Sequence, residues 1–166
     1  MSDKTFNVLF ICTGNSARSI LAEAQLNQLG RGQFRAFSAG SFPTGQVNPN
    51  AIEILKRWDI DTTGLRSKSW NEFAEPGAPK MDFVFTVCDQ AAGEVCPVWP
   101  GQPILAHWGA PDPAKAEGTP EQVLQEFRNV ALLLRKRIEL MLALPLTKLE
   151  KLAIQHEVEQ IGKVSS

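Results

Sequence analysis

Residues 6–19 read FNVLFICTGNSARS, and the fold is decided by how this stretch divides. Phe6 to Ile11 is a short, largely apolar run rich in strand-forming residues, which predicts a buried parallel strand. From Arg18 the pattern changes. Ile20, Leu21, Ala24, Leu26 and Leu29 recur at roughly helical spacing until Gly30 offers a stop. The polar segment between them, Cys12 to Ala17, is therefore a tight turn from a strand into a helix.

A turn of that kind has a definite chemistry. A loop this short, closing on a helix N-terminus, can aim the backbone N–H groups of Thr13, Gly14, Asn15, Ser16 and Ala17 at one tetrahedral oxyanion. Arg18, separated from Cys12 by five residues, adds a planar fork that a lysine cannot match. Cys12 sits at the floor, and both the helix terminus and the guanidinium favour its thiolate. Ser19 can donate a further hydrogen bond to that sulfur. Gly14 and Asn15 are residue types that tolerate positive φ. A lone cysteine at a strand end is more often structural; the arginine, the Gly-Asn pair and the strand-loop-helix setting favour a nucleophile.

Outward from this loop, residues 35–38, 83–87 and 104–108 are further strand candidates. Asn48-Pro49 caps a helix running to about Asp59, and residues 69–73 form a short one. After a Pro-, Gly- and Ala-rich loop from 109 to 120, a long amphipathic helix carries Val123, Phe127, Val130, Leu134, Ile138 and Met141 on one face. The alternation predicts an α/β layer structure with a parallel sheet. Ligands in such sheets bind beyond the carboxyl ends of the strands, so Cys12, Cys88 and the 109–118 loop should share one crevice. A domain over 1–146 is expected, followed by a polar helix within 147–166 that packs on the domain or meets a second subunit.

Composition narrows the function. The 166 residues carry a formal net charge of −1, which speaks against nucleic acid or an anionic membrane as the main partner. No apolar run is long enough for a transmembrane helix, and MSDKTFNVLF has no signal-peptide pattern. A reducing cytoplasm is the expected setting, where the three cysteines serve redox chemistry more readily than structure. No Cys/His set has zinc-ligand spacing; His107 is expected at a strand end and His156 on the surface.

VLFICTGNSARS resembles the active-site loop of the low-molecular-weight phosphatase superfamily, and specifically its arsenate reductase branch. The resemblance continues through Glu23, Ser38-Ala39-Gly40, Thr86-Val87-Cys88 and Pro111-Asp112-Pro113. It implies a four-stranded parallel sheet flanked by helices, with Cys12 as nucleophile. It also implies that Asp112, on a loop stiffened by its two prolines, hangs over the pocket as general acid. Arsenate would be the substrate, with phosphate or sulfate as mimics. By the same resemblance Asn15 and Ser38 brace the loop, and some relatives use them with a carboxylate such as Glu23 to hold a potassium ion.

Phosphatase and reductase share their first step, thiolate attack on a tetrahedral oxyanion. A reductase needs further thiols, and Cys88 and Cys96 supply them: Cys88 can reach Cys12, and Cys96 can resolve Cys88. The chain has no tyrosine, and Asp112-Pro113 is followed by Ala114, Lys115 and Ala116, so the aromatic wall of a phosphotyrosine pocket is missing. Trp108 is expected to offer an aromatic surface nearby. Position 17 is alanine where many relatives carry a second loop cysteine, and the Cys88–Cys96 interval is slightly longer than the common thioredoxin-linked pattern. Thioredoxin is the favoured electron donor, with glutathione and glutaredoxin as the alternative. Arg66 and Lys68 are read as an anion-attracting rim or a solvated surface pair. The alternatives to a reductase are a phosphomonoesterase and a non-enzymatic oxyanion sensor.

Overall fold

The computed structural model describes residues 5–88, 99 and 101–165. Strands β1 (Phe6–Ile11), β2 (Phe34–Ala39), β3 (Phe83–Thr86) and β4 (Ile104–His107) form one sheet in the order β2-β1-β3-β4, with every pairing parallel. Strand β1 is central because it is the most apolar, with Val8, Leu9, Phe10 and Ile11 fully buried. The expected α/β fold with its parallel sheet is the one observed. β2 is longer than predicted at both ends, whereas β3 and β4 stop one residue short, at Thr86 and His107.

Helices α1 (Arg18–Leu29), α2 (Pro49–Arg57), α3 (Pro120–Leu142) and α4 (Lys151–Ile161) cover the sheet, and short 3-10 turns lie at Trp70–Phe73, Pro113–Lys115 and Leu146–Lys148. Helix α2 begins where Asn48 accepts a hydrogen bond from the Asn50 N–H at 2.8 Å, with Pro49 in the first turn. Helix α3 begins with a reciprocal capping box between Thr119 and Gln122. Phe127, Val130, Leu134, Ile138 and Met141 are buried as predicted, while Val123 is half-buried. No described helix is long and apolar enough to cross a membrane.

One expectation at the carboxyl end of the sheet is corrected. Trp108 is fully buried and stacks on Phe85 at 4.1 Å, so it fills the core and does not line the pocket. Its indole N–H donates to the carbonyl of Val158 at 2.9 Å, which ties α4 to the end of β4. A Cβ at Gly162 would lie 2.2 Å from the His107 carbonyl oxygen, so the chain after α4 runs directly against β4. The helical extension thus packs on this domain through Ile154, Val158 and Ile161, while Leu152 is exposed.

Candidate active site

Residues 12–18 wrap one end of a cavity of about 500 Å³, lined by Cys12, Thr13, Gly14, Ser16, Ala17 and Arg18 from the loop and by Cys88, Ala110, Asp112 and Lys115 from the facing segments. Three of the loop's carbonyls accept backbone hydrogen bonds from residues 42–48. Thr13 O accepts from the Phe42 N–H at 3.0 Å, Gly14 O from the Thr44 N–H at 3.0 Å, and Ser16 O from the Asn48 N–H at 2.9 Å. In a trans peptide the N–H of the next residue points opposite to the carbonyl. The N–H groups of Gly14, Asn15 and Ala17 therefore point away from residues 42–48, which suits them to an oxyanion held within the loop. Ala17 is the N-cap of α1 and has no side-chain acceptor to occupy the first-turn N–H groups, which leaves that terminus to an anion.

Asn15 carries the one strained backbone of the loop, with φ +46°, and its side chain shows what holds it there. The amide nitrogen donates to Ser19 Oγ at 2.8 Å and Ser38 Oγ at 3.0 Å, and the amide oxygen accepts from the Lys68 N–H at 2.9 Å. Gly14 does not adopt positive φ. The glycine that the loop depends on is Gly40: a Cβ there would stand 2.4 Å from Thr13 O and 2.8 Å from Cys12 O. Ser38-Ala39-Gly40 is thus the shelf on which the loop rests.

Both described cysteines are buried and reduced. The Thr13 N–H points at Cys88 Sγ at 3.3 Å, so the second sulfur occupies the mouth of the anion loop beside Cys12. That neighbour and burial together push the Cys12 thiol far up, against the pull of the Arg18 guanidinium. Cys12 is thus held as the thiol while Cys88 stands against it, and its thiolate is favoured once Cys88 withdraws. Cys96 lies outside the described residues.

Arg18 reaches across the cavity to the loop that carries Asp112. Its Nη1 donates to the Ala110 carbonyl at 3.0 Å and its Nη2 lies 3.6 Å from Asp112 Oδ2. Asp112 is half-buried and caps the following 3-10 turn by accepting from the Ala114 N–H at 3.0 Å, which leaves the other carboxylate oxygen toward Arg18. Lys115, which the sequence reading did not single out, also lines the cavity and adds positive charge at its rim.

The potassium site implied for Asn15, Glu23 and Ser38 does not fit these side chains. Asn15 presents its amide N–H, not its oxygen, to Ser38, and Ser38 Oγ donates to Glu23 Oε1. The Lys68 ammonium lies among the same groups, 3.4 Å from Ser38 Oγ, 3.7 Å from Glu23 Oε1 and 2.9 Å from the Arg66 carbonyl oxygen. Lys68 is therefore no rim residue: it is 7% exposed and points behind the loop. Arg66 is exposed and engages Glu72 through both its terminal nitrogens, at 3.1 and 2.6 Å. Among the described residues no cluster of His, Cys, Asp and Glu has the makings of a metal site.

The sequence profile of the low molecular weight phosphotyrosine protein phosphatases matches residues 7–155. The arsenate reductase of Halalkalibacterium halodurans is 39% identical over 80% of this chain and 91% of its own length. A solved arsenate reductase in its phosphate-binding state superposes with a TM-score of 0.67 at 30% identity, covering 81% of this chain and 95% of the other. A thioredoxin-dependent arsenate reductase of Corynebacterium glutamicum matches with a TM-score of 0.55 at 26% identity, covering 84% of this chain and 65% of the other.

Proposed function

The chain belongs to the low molecular weight phosphotyrosine protein phosphatase family, and we propose that it is the arsenate-reducing kind of member, converting arsenate to arsenite. The observation that carries this reading is the Cys88 sulfur in the mouth of the oxyanion loop, at 3.3 Å from the Thr13 N–H. A phosphomonoesterase has no use for a second thiol there. A reductase requires one.

In the proposed reaction the loop N–H groups and Arg18 hold arsenate, and the Cys12 thiolate attacks arsenic. Asp112 gives its proton to the departing oxygen, which leaves as water, and a Cys12–arsenic(V) bond forms. Ser19 is suited to steady the thiolate, because it accepts from Asn15 and so keeps its own hydrogen for another acceptor. The Cys88 thiolate then attacks Cys12 Sγ. An S–S bond forms, the S–As bond breaks, and its electron pair stays on arsenic, which departs as arsenite. Attack of Cys96 on Cys88 frees Cys12 and stores the oxidation as a Cys88–Cys96 disulfide.

An external thiol must reduce that disulfide. Thioredoxin is the proposed donor, supported by the likeness to a thioredoxin-dependent relative, and glutathione with glutaredoxin is the alternative. Such a cycle suits a reducing cytoplasm. Residues 1–146 are proposed as the catalytic domain, and the extension from 147 as its brace on the acid-loop side.

Replacing Cys88 with serine is expected to abolish arsenite production while phosphate still binds the loop. Undiminished turnover in that variant would defeat the internal relay. Aryl phosphate hydrolysis indifferent to the loss of Cys88, with no arsenite formed by the unmutated protein, would instead identify a phosphatase that shares only the first step. Weak phosphatase activity beside arsenate reduction is compatible with the proposal.

A further inference from the structure

Three buried polar groups stand directly behind the oxyanion loop: Asn15, Ser19 and Ser38, each fully shielded from solvent. They form one chain of hydrogen bonds that runs from Ser19 through the Asn15 amide to Ser38 and ends on the Glu23 carboxylate. A carboxylate in this position needs a counter-charge, because an isolated buried ion is costly. Arg66 does not supply it, since its guanidinium is turned outward onto Glu72. Lys68 does.

We propose that Lys68 is a positioning residue whose tethered ammonium serves as the monovalent cation of this site, so that the oxyanion loop is set without a bound metal ion. The assignment rests on the reading of the loop as an oxyanion site given above. The ammonium has three hydrogens to place, and it finds the Arg66 carbonyl at 2.9 Å and Ser38 Oγ at 3.4 Å, with Glu23 Oε1 at ion-pair distance, 3.7 Å. These are the oxygens a small cation would need, and the side chain delivers its charge to them intramolecularly. Burial lifts the Glu23 carboxyl and lowers the Lys68 ammonium, and each is opposed by the charge of the other, so the pair holds as a unit.

The same residue grips the loop a second time through its main chain. Its N–H donates to Asn15 Oδ1 at 2.9 Å, and its carbonyl accepts from the Gly40 N–H at 2.9 Å. Those two bonds survive truncation of the side chain, so Lys68→Ala removes the ammonium and leaves the backbone clamp in place. With the cation gone, Glu23 competes for the Ser38 hydroxyl without balance. The Asn15 amide then loses the partner that keeps its residue at positive φ.

The test is phosphate binding by the reduced full-length protein in potassium chloride and in choline chloride at equal ionic strength, with arsenate kcat/KM read alongside. The wild type is expected to bind equally in the two salts. Lys68→Ala should bind about tenfold more weakly in choline, a loss typical of removing an outer-shell support, and should recover in potassium. A potassium-activated wild type overturns the proposal, as does a Lys68→Ala variant that binds normally in choline or that potassium does not restore. If the variant is too unstable in choline to assay, its Tm is compared in the two salts, where selective stabilisation by potassium is required. Phosphate binding reads the loop alone, so a failure of the reductase reading would appear in the arsenate assay without disturbing this result.

Discussion

The two loops that enclose the cavity are held in opposite ways. The oxyanion loop, residues 12–18, is fastened along its length: three of its carbonyls accept backbone hydrogen bonds from residues 42–48, and Ser67 Oγ adds another to Gly14 O at 3.1 Å. Behind it stands a closed polar network balanced by an ion pair between Lys68 and Glu23. The acid loop that starts at Gly109 is fastened at its root. There the buried Arg137 of α3 donates to the carbonyls of Trp108 at 2.7 Å and Gly109 at 2.8 Å, and to that of Val164 beyond α4 at 3.1 Å. Pro111, Ala114 and Lys115 at its tip are exposed.

The difference matches the chemistry proposed for each loop. Oxyanion stabilisation works best from donors that need no reorganisation, so the first loop is built to stay still. Proton delivery and product exit need a loop that can adjust at its tip while its base stays in register. Arg18 joins the two through Ala110 and Asp112, so the proposed anion binding and acid placement share one side chain.

That link is where the two loops are most sensitive to substitution. Arg18→Lys keeps the charge but loses the fork, and kcat/KM for arsenate should fall by about 10²–10³-fold, with phosphate binding weakened in parallel. A loss confined to kcat would mean that Arg18 serves the acid loop and not the anion. Next comes Arg137→Met, which strips three carbonyls of a charged donor. Stability should drop by roughly 3 kcal/mol in urea unfolding. At fixed temperature below the melting point, kcat should decline while phosphate affinity holds. Equal losses in both would mean that the two loops are not separately braced.

The finest contrast concerns the sulfurs. The Cys12 thiol is raised chiefly by its hydrogen bond with Cys88, so at neutral pH it carries less thiolate than it would alone. Deleting that partner lowers the pKa, and the iodoacetamide alkylation profile of Cys12 in Cys88→Ala should move to lower pH. A profile that stays in place would show that Cys88 does not sit against Cys12 in solution.

The oxyanion loop was legible in the sequence because its signals are local. A strand, a cysteine, an arginine and a helical pattern lie within one short stretch, and Asn48-Pro49 announces its helix in the same way. What stayed hidden depends on contacts across the fold. Lys68 meets Ser38 across 30 positions of chain, and no periodicity distinguishes it from a surface lysine. Trp108 looked like a pocket wall because it follows a strand toward the site, but its ring turns inward onto Phe85 and its N–H is taken by α4. Arg137 did leave a trace: it shares the apolar face of α3 with Leu134, Ile138 and Met141, where an unpaired charge is out of place. That anomaly is the sequence signature of a buried cation serving main-chain carbonyls.

The most direct test of the account is one turnover of fully reduced protein with arsenate in the absence of any added thiol, counting free cysteines and released arsenite. The thiol relay predicts one arsenite released and two protein thiols lost per chain, with Cys88 and Cys96 recovered as a disulfide. Intact thiols and no arsenite, from protein that binds phosphate and hydrolyses an aryl phosphate, would contradict it.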